Sequence, residues 1–267
     1  MSFSIDGKTA IVTGAANGVG LAIGRQFVKM GANVVFADMD EKTLEDQMGD
    51  AAEGETNVRI FAGDMRKKLT IANLLSATVD AFERVDILVN ASRQVMTTDP
   101  LNPDDNSVEE LLQQNMMTAL RMSQATARRM IKQAEGQDEG PVGSIVNISS
   151  IAARRSHPDL LAYSISSAAL DQMTRSMAVA LAPKRIRVNA VAFGSVMSAS
   201  LKGSLKDHEE AREAIVENTP LHRIASPGEV SDAVQYLASD ASGFVTGQII
   251  TVDGGRTLLD PAAVSAH

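Results

Sequence analysis

Short β-branched runs alternate with stretches of helical periodicity along almost the whole chain, and this alternation dictates the fold class. Residues 9–12 are apolar and end in a glycine-rich turn. Residues 20–30 follow as a helix, with Leu21, Ile23, Phe27 and Val28 apolar, Arg25, Gln26 and Lys29 polar, and Gly31 closing it. Residues 33–37, 58–62 and 85–90 read as three more strands, with helices at about 41–52 and 67–82 between them. The second half continues with a long helix at 107–132, a polar loop at 133–141, a strand at 144–149 and a helix at 160–181 stopped by Pro183. A strand at 186–192, an acidic helical stretch at 199–217, a helix at 227–239 capped by Ser226 and a last strand at 248–252 complete the pattern. Strands that are apolar on both faces, each followed by a helix, predict a parallel sheet covered on both sides. No linker or composition break divides residues 1–267, which therefore read as one domain whose last residues, 260–267, fray.

Several function classes drop out on composition. A net charge of −8 argues against nucleic acid or an anionic membrane as the main partner. The chain has no cysteine, which excludes disulfides and thiolate chemistry, and its four histidines are too scattered for a zinc site. No apolar run is long enough to cross a bilayer, and no signal segment is visible, so a soluble cytoplasmic protein is expected.

The turn after the first strand carries the first functional signal. It reads Thr13-Gly14-Ala15-Ala16-Asn17-Gly18-Val19-Gly20 and opens directly into a helix. A helix N-terminus offers unpaired N–H groups and partial positive charge, which suit a pyrophosphate. Glycines permit the tight turn and a close backbone approach. Asp38 ends the second strand, 18 residues after Gly20. A carboxylate there accepts from both ribose hydroxyls of an adenosine and repels a 2′-phosphate. With Met39 beside it and no Arg or Lys in the turn, NAD is favoured over NADP. Taken alone, Asp38 also reads as a helix cap and the turn as an ordinary tight connection.

With the turn in place, the chain resembles the short-chain dehydrogenase/reductase family from Lys8 to about Arg256. The resemblance rests on the Thr-Gly-x-x-x-Gly-x-Gly turn, Asp64 after the third strand, Asn115 in Gln-Gln-Asn-Met-Met, and Ser150 in Ile-Val-Asn-Ile-Ser-Ser. It also rests on Tyr163 thirteen residues after Ser150, Arg187-Val-Asn-Ala-Val, Thr246-Gly-Gln and Asp253-Gly-Gly. It implies a Rossmann-type doubly wound α/β fold of about seven parallel strands, with a substrate lid at about 193–221. The implied catalytic set is Ser150, Tyr163 and Asn115, with Ser167 at the position of a fourth member. The cofactor would lie along Gly14, Asn17, Gly18, Val19, Gly20, Asp38, Met39, Asp64, Met65, Asn90, Ala91, Ser92, Tyr163, Gly194, Val196 and Ser198. A homotetramer or dimer is implied as well.

Three departures stand against the family pattern. Its Tyr-x-x-x-Lys is Tyr163-Ser164-Ile165-Ser166-Ser167 here, so Ser167 takes the lysine position. Its Asn-Asn-Ala-Gly is Asn90-Ala91-Ser92-Arg93, and its Pro-Gly is Phe193-Gly194. Residues i and i+4 share a helix face, so the family lysine lies beside the tyrosine hydroxyl and reaches the nicotinamide ribose. A free tyrosine titrates near ~10 and an adjacent cation moves an acid by about 1–3 units, so losing it cuts the tyrosinate fraction roughly 10- to 1000-fold. Part of the missing field would come from the oxidised nicotinamide, or from Arg154 or Arg155 if a guanidinium folds inward.

The activity expected is hydride transfer between nicotinamide and a secondary alcohol or ketone. Tyr163 is the general acid–base, Ser150 the donor to the substrate oxygen, and Asn115 the holder of a water. Arg93, Gln94, Arg154, Arg155 and His157 fall near the substrate mouth, where a cationic lining would select a carboxylate or phosphate. The competing reading is a catalytically silent family member that binds nucleotide or serves as a partner subunit. Ser167→Lys is expected to raise turnover at pH 7.

Overall fold

The structure, a computed structural model, describes residues 3–54, 56–206 and 208–260. Of the tail expected to fray, residues 261–267 lie outside the described residues, as does Asp207 of the acidic stretch. Strands β1 (Thr9–Thr13), β2 (Asn33–Asp38), β3 (Val58–Ala62), β4 (Ile87–Asn90), β5 (Gly143–Ser150), β6 (Ile186–Phe193) and β7 (Ile249–Val252) form one sheet. Its order is β3-β2-β1-β4-β5-β6-β7, and every pairing is parallel. The chain leaves β1 toward β2 on one side and returns to β4 on the other. That reversal opens a crevice at the carboxyl ends of β1 and β4.

Successive residues of a strand point to opposite faces, and both faces here are apolar. Ala10 and Val12 pack under α1 (Gly18–Lys29), α2 (Glu41–Ala52) and a late helix at Pro227–Ala238, meeting Phe27, Leu44 and Val234. Ile11 faces the other way, among Leu74 of α3 (Lys68–Phe82) and Met122 and Met130 of a helix at Thr118–Gln133. Gly24 lets α1 lie close on the sheet, since a Cβ there would sit 2.3 Å from the Phe36 ring.

Three elements differ from expectation for local reasons. The long helix at 107–132 is interrupted: α4 (Ser107–Leu111) passes through a π turn at Leu112–Met117 into α5 (Thr118–Gln133). Within it the Thr118 hydroxyl donates to the Gln113 carbonyl at 3.0 Å. The fourth strand starts at Ile87 rather than Val85, because the Gln133 side-chain amide takes both the Val85 N–H (3.0 Å) and its carbonyl (2.7 Å). After α6 (Leu161–Leu181), the acidic stretch splits into α7 (Ala199–Ser204) and α8 (Glu209–Glu217). The last helix, α9 (Pro227–Ala238), opens with a full capping box in which Ser226 and Glu229 satisfy each other's backbone N–H groups.

Candidate active site

The loop between β1 and α1 is built for close backbone approach. Gly14 has φ +66° and Gly18 φ +58°, conformations that L side chains strain to adopt. A Cβ on Gly14 would lie 2.6 Å from the Ser92 N and Cα, and one on Gly20 2.1 Å from the Gly14 carbonyl oxygen. The Thr13 hydroxyl oxygen accepts from Ala91 N (3.1 Å) and Ser92 N (3.3 Å), locking the segment after β4 onto this loop. Asn17 caps α1 in an extended conformation and its side chain makes no capping bond, so the amides of Gly18, Val19 and Gly20 stay free for an anion.

Asp38 lies against that loop. Its carboxylate accepts from Ala16 N at 3.0 Å and Asp40 N at 3.1 Å, leaving about two of its four acceptor positions for further donors. A narrow cleft runs on past Met39, Asp64, Met65 and Ser92. Arg66 shares it and grips both Asp64 oxygens through one guanidinium edge, Nε at 2.9 Å and Nη2 at 3.0 Å, which holds the Asp64 carboxyl below the usual carboxylate range. Free amides in the turn after β1, a carboxylate with spare acceptors beside it and glycines where a Cβ would collide suit the chemistry of a pyrophosphate and an adenosine ribose.

Asn90 points elsewhere. Its amide nitrogen donates to the Ser123 hydroxyl (3.0 Å) and to Asn147 Oδ1 (2.8 Å), and Asn147 donates to Thr174 (2.9 Å). The side chain thus ties β4 to α5, β5 and α6, while Ala91 and Ser92 present backbone at the crevice. Beyond β6, Gly194 N bonds the Val252 carbonyl, the Val196 side chain is buried in the core, and the Ser198 hydroxyl caps α7 by accepting from Leu201 N.

The expected catalytic residues come together at the carboxyl ends of β4 and β5. Ser150 is the last residue of β5, in register with Phe193, and its oxygen accepts from Ala152 N at 3.1 Å. That bond leaves its proton free to donate outward. Tyr163 sits in the first turn of α6, buried with Leu111 and Ala162. Its phenolic oxygen accepts a hydrogen bond from Arg93 Nη1. The same guanidinium lies 4.3 Å from the centroid of the Phe193 ring.

Asn115 lies in the π turn. It accepts from Gln94 N (2.8 Å), donates to the Gln94 carbonyl (2.9 Å) and reaches the Ser166 hydroxyl at 3.2 Å. Ser166 in turn donates to the Tyr163 carbonyl at 3.1 Å. Ser167 is buried, and its hydroxyl makes no hydrogen bond among the described residues.

The expected cationic mouth is not assembled. Arg154 donates to the Thr251 hydroxyl at 2.6 Å, and Arg155 to the carbonyls of Thr257 and Leu259. Both turn toward β7 and the segment after it, so neither guanidinium stands in for the lysine at Tyr163. His157 accepts from Asp159 N at 3.3 Å and belongs to its own turn. A cavity of about 640 Å³ lies beside β7, lined by Arg154, Thr219, Leu221, Thr251 and Asp253, and includes neither Ser150 nor Tyr163.

Two participants escaped the sequence reading. Arg93, expected only near the mouth, stands on the phenol itself; its signal is a cation in the place of the family's glycine. Asp171 lies one turn beyond Ser167 and accepts from the Ser149 hydroxyl at 2.6 Å. Burial pushes its carboxyl above the usual range, against the pull of Ser149, Arg154 and Arg175. Its signal is a lone acid on the inner face of α6, at i+8 from Tyr163.

Comparison with known proteins agrees with this geometry. The family model described as enoyl-(acyl carrier protein) reductase matches residues 14–257. The 3-oxoacyl-(acyl-carrier-protein) reductase FabG of Thermotoga maritima is 31% identical over 254 residues, covering 95% of this chain and 99% of that protein. A 7α-hydroxysteroid dehydrogenase solved with NADH and 7-oxo glycochenodeoxycholic acid superposes with a TM-score of 0.86 at 29% identity, covering 95% of this chain and 96% of the other. A gluconate 5-dehydrogenase from Burkholderia cenocepacia, solved with NADP and tartrate, gives 0.85 at 27% identity, with 97% and 98% covered. This chain belongs to the short-chain dehydrogenase/reductase family of oxidoreductases.

Proposed function

We propose that the protein is an NAD-dependent dehydrogenase/reductase that moves a hydride between nicotinamide and a secondary alcohol or ketone. The observation that carries this reading is the convergence at one sheet edge of Ser150, Tyr163 and the phosphate-ready turn after β1. When bound, the nicotinamide supplies the hydride acceptor for oxidation and the donor for reduction. Gly18, Val19 and Gly20 offer amides to the pyrophosphate, and Asp38 offers its spare acceptors to the adenosine ribose.

In the oxidative direction Tyr163 takes the alcohol's hydroxyl proton as the carbinol C–H electron pair leaves as hydride; in the reductive direction it returns that proton to the oxygen. Ser150, with its proton free, donates to the same substrate oxygen and stabilises the charge that develops there. Asn115 is a positioning residue: its amide fixes Gln94, next to Arg93, against α6. The segment from 193 to about 221 closes over the substrate as a lid.

The choice of NAD rests on Asp38 and on Arg66, whose charge Asp64 already neutralises. The two solved relatives carry NADH and NADP respectively, so likeness alone does not choose. Calorimetric titration with both nucleotides, followed by a panel of secondary alcohols assayed from pH 7 to 10.5, tests the reading. NAD is expected to bind more tightly than NADP, and Asp38→Ala to shift that preference toward NADP by about tenfold or more, the worth of a hydrogen bond to a charged group. Failure to bind either nucleotide in any redox state sinks the proposal. Tight NAD binding without turnover would leave the silent-subunit reading.

A further inference from the structure

Two departures from the family pattern, far apart in sequence, both bear on Tyr163. Ser167 stands four residues after Tyr163, where the pattern has lysine, and its hydroxyl has no partner among the described residues. Arg93 stands where the pattern has glycine, and its guanidinium donates to the Tyr163 phenolic oxygen. We propose that Arg93 is the cation of this active site: it stabilises the phenolate of Tyr163 in place of a lysine on α6. This deepens the dehydrogenase reading and rests on it.

The surroundings of Tyr163 leave the role open to Arg93. Leu111 and Val108 of α4, together with Ala152, Leu160 and Ala162, pack about the ring and are uncharged. From the π turn comes neutral Asn115, and from β5 neutral Ser150. The acid on Tyr163's own helix, Asp171, lies two turns on and is held by Ser149, while Arg175 lies a turn further. Arg154 turns to Thr251. Arg93 itself is braced on the Phe193 ring, which replaces the family's proline. A guanidinium stays protonated at any working pH, so it favours the ionised phenol without competing for its proton. In oxidation the alcohol proton passes to the Tyr163 phenolate. Arg93 remains charged throughout and touches neither the hydride nor that proton.

The chain has two tyrosines, Tyr163 and Tyr236, and no tryptophan, so tyrosinate absorbance can be followed directly, with Tyr163→Phe subtracting the second ring. In Arg93→Ala the Tyr163 tyrosinate signal is expected to rise at a higher pH than in the wild type, because the phenolic oxygen loses its cationic donor. In turnover, Arg93→Ala should lower kcat/KM at pH 7 by about ten- to a hundredfold, with the deficit shrinking toward pH 10. Arg93→Lys should retain part of the activity. Ser167→Lys should recover most of the loss in the Arg93→Ala background, and should gain more there than it does in the wild type.

Identical tyrosinate titrations in wild type and Arg93→Ala would overturn the proposal even if no substrate were found. So would a pH-independent loss of activity. So would tighter NAD binding with faster turnover in Arg93→Ala, which would make the guanidinium an obstruction in the nicotinamide site. Absence of nucleotide binding and turnover in the wild type, with the titration shift intact, would instead strike the dehydrogenase reading.

Discussion

Gly14→Ala tests whether the crevice depends on two backbones in contact. At φ +66° an alanine pays about 1–2 kcal/mol of left-handed strain. Its Cβ would stand 2.6 Å from Ser92 N and Cα and 2.7 Å from Ala91 C, all main-chain atoms that no rotamer change can move aside. Ordinary carbon contact needs about 3.5–4 Å, so the loop after β4 must retreat by about an ångström. That retreat breaks the two bonds from Ala91 N and Ser92 N to the Thr13 hydroxyl, each contributing about 0.5–1.5 kcal/mol. The whole effect is about 2–5 kcal/mol, or roughly 4–10 °C in Tm for a domain of this size.

Gly18→Ala is the matched control. Its φ of +58° carries the same strain, but its Cβ would meet only Ser198 Cβ, at 3.9 Å. Thermal unfolding and NAD titration of both variants separate strain from collision. Gly14→Ala should be the less stable by several degrees and should bind NAD at least about tenfold more weakly than the wild type. If the two variants unfold together and Gly14→Ala binds NAD normally, the contact between the two loops is not what shapes the crevice.

Two further predictions concern charge. The Arg223 guanidinium, and after it the Ser226 amide, hold the Glu229 carboxyl at about 2, below its ordinary 4.5. A depressed acid stabilises the fold above its unfolded value and loses that contribution as pH falls. Glu229→Gln should therefore cost up to about 1 kcal/mol at pH 7, since glutamine keeps the capping acceptor and solvent screens the exposed ion pair that is lost. Melting curves should converge with the wild type between about pH 4.5 and 2, and a constant gap across that window would contradict the linkage. Asp171 has the opposite sign, because burial raises its carboxyl and the charged form costs stability as pH rises through the folded value. Asp171→Asn keeps an acceptor for Ser149 and should be more stable than the wild type in denaturant at pH 8. Its advantage should vanish below about pH 4, and a less stable variant at pH 8 would show that Arg154 and Arg175 outweigh desolvation.

The sheet was legible because its strands announce themselves twice, as β-branched runs and as segments apolar on both faces. Ile11 and Val12 serve opposite sides of the sheet, and a strand buried on both sides admits little else. What escaped detection was decided by single side chains acting at long range. Gln133 removes Val85 from the sheet from 48 residues away. Asn115 takes both backbone groups of Gln94 across 21 residues, at the π turn that interrupts an otherwise continuous helical pattern. Neither event changes periodicity, so a reading by periodicity passes over both. The arginines after β5 show the same limit: Arg154 and Arg155 are adjacent to the site in sequence, yet the segment at 251–259 captures both.

The site therefore differs from its family pattern in where its charge is anchored. A lysine at the Ser167 position would be carried by α6, the helix that also carries Tyr163, and its placement would follow from helix geometry alone. Arg93 is carried instead by the segment after β4. Its neighbour Ser92 touches Gly14, and its other neighbour Gln94 is held by Asn115. The cation at the phenol is thus positioned by the same loop contact that shapes the cofactor turn. A disturbance at Gly14 that moves Ser92 must also move Arg93, one residue on. On the dehydrogenase reading, Gly14→Ala is therefore expected to weaken NAD binding and to lower turnover at pH 7 together, and a variant that loses one without the other would show that the backbone from Thr13 to Arg93 does not join them.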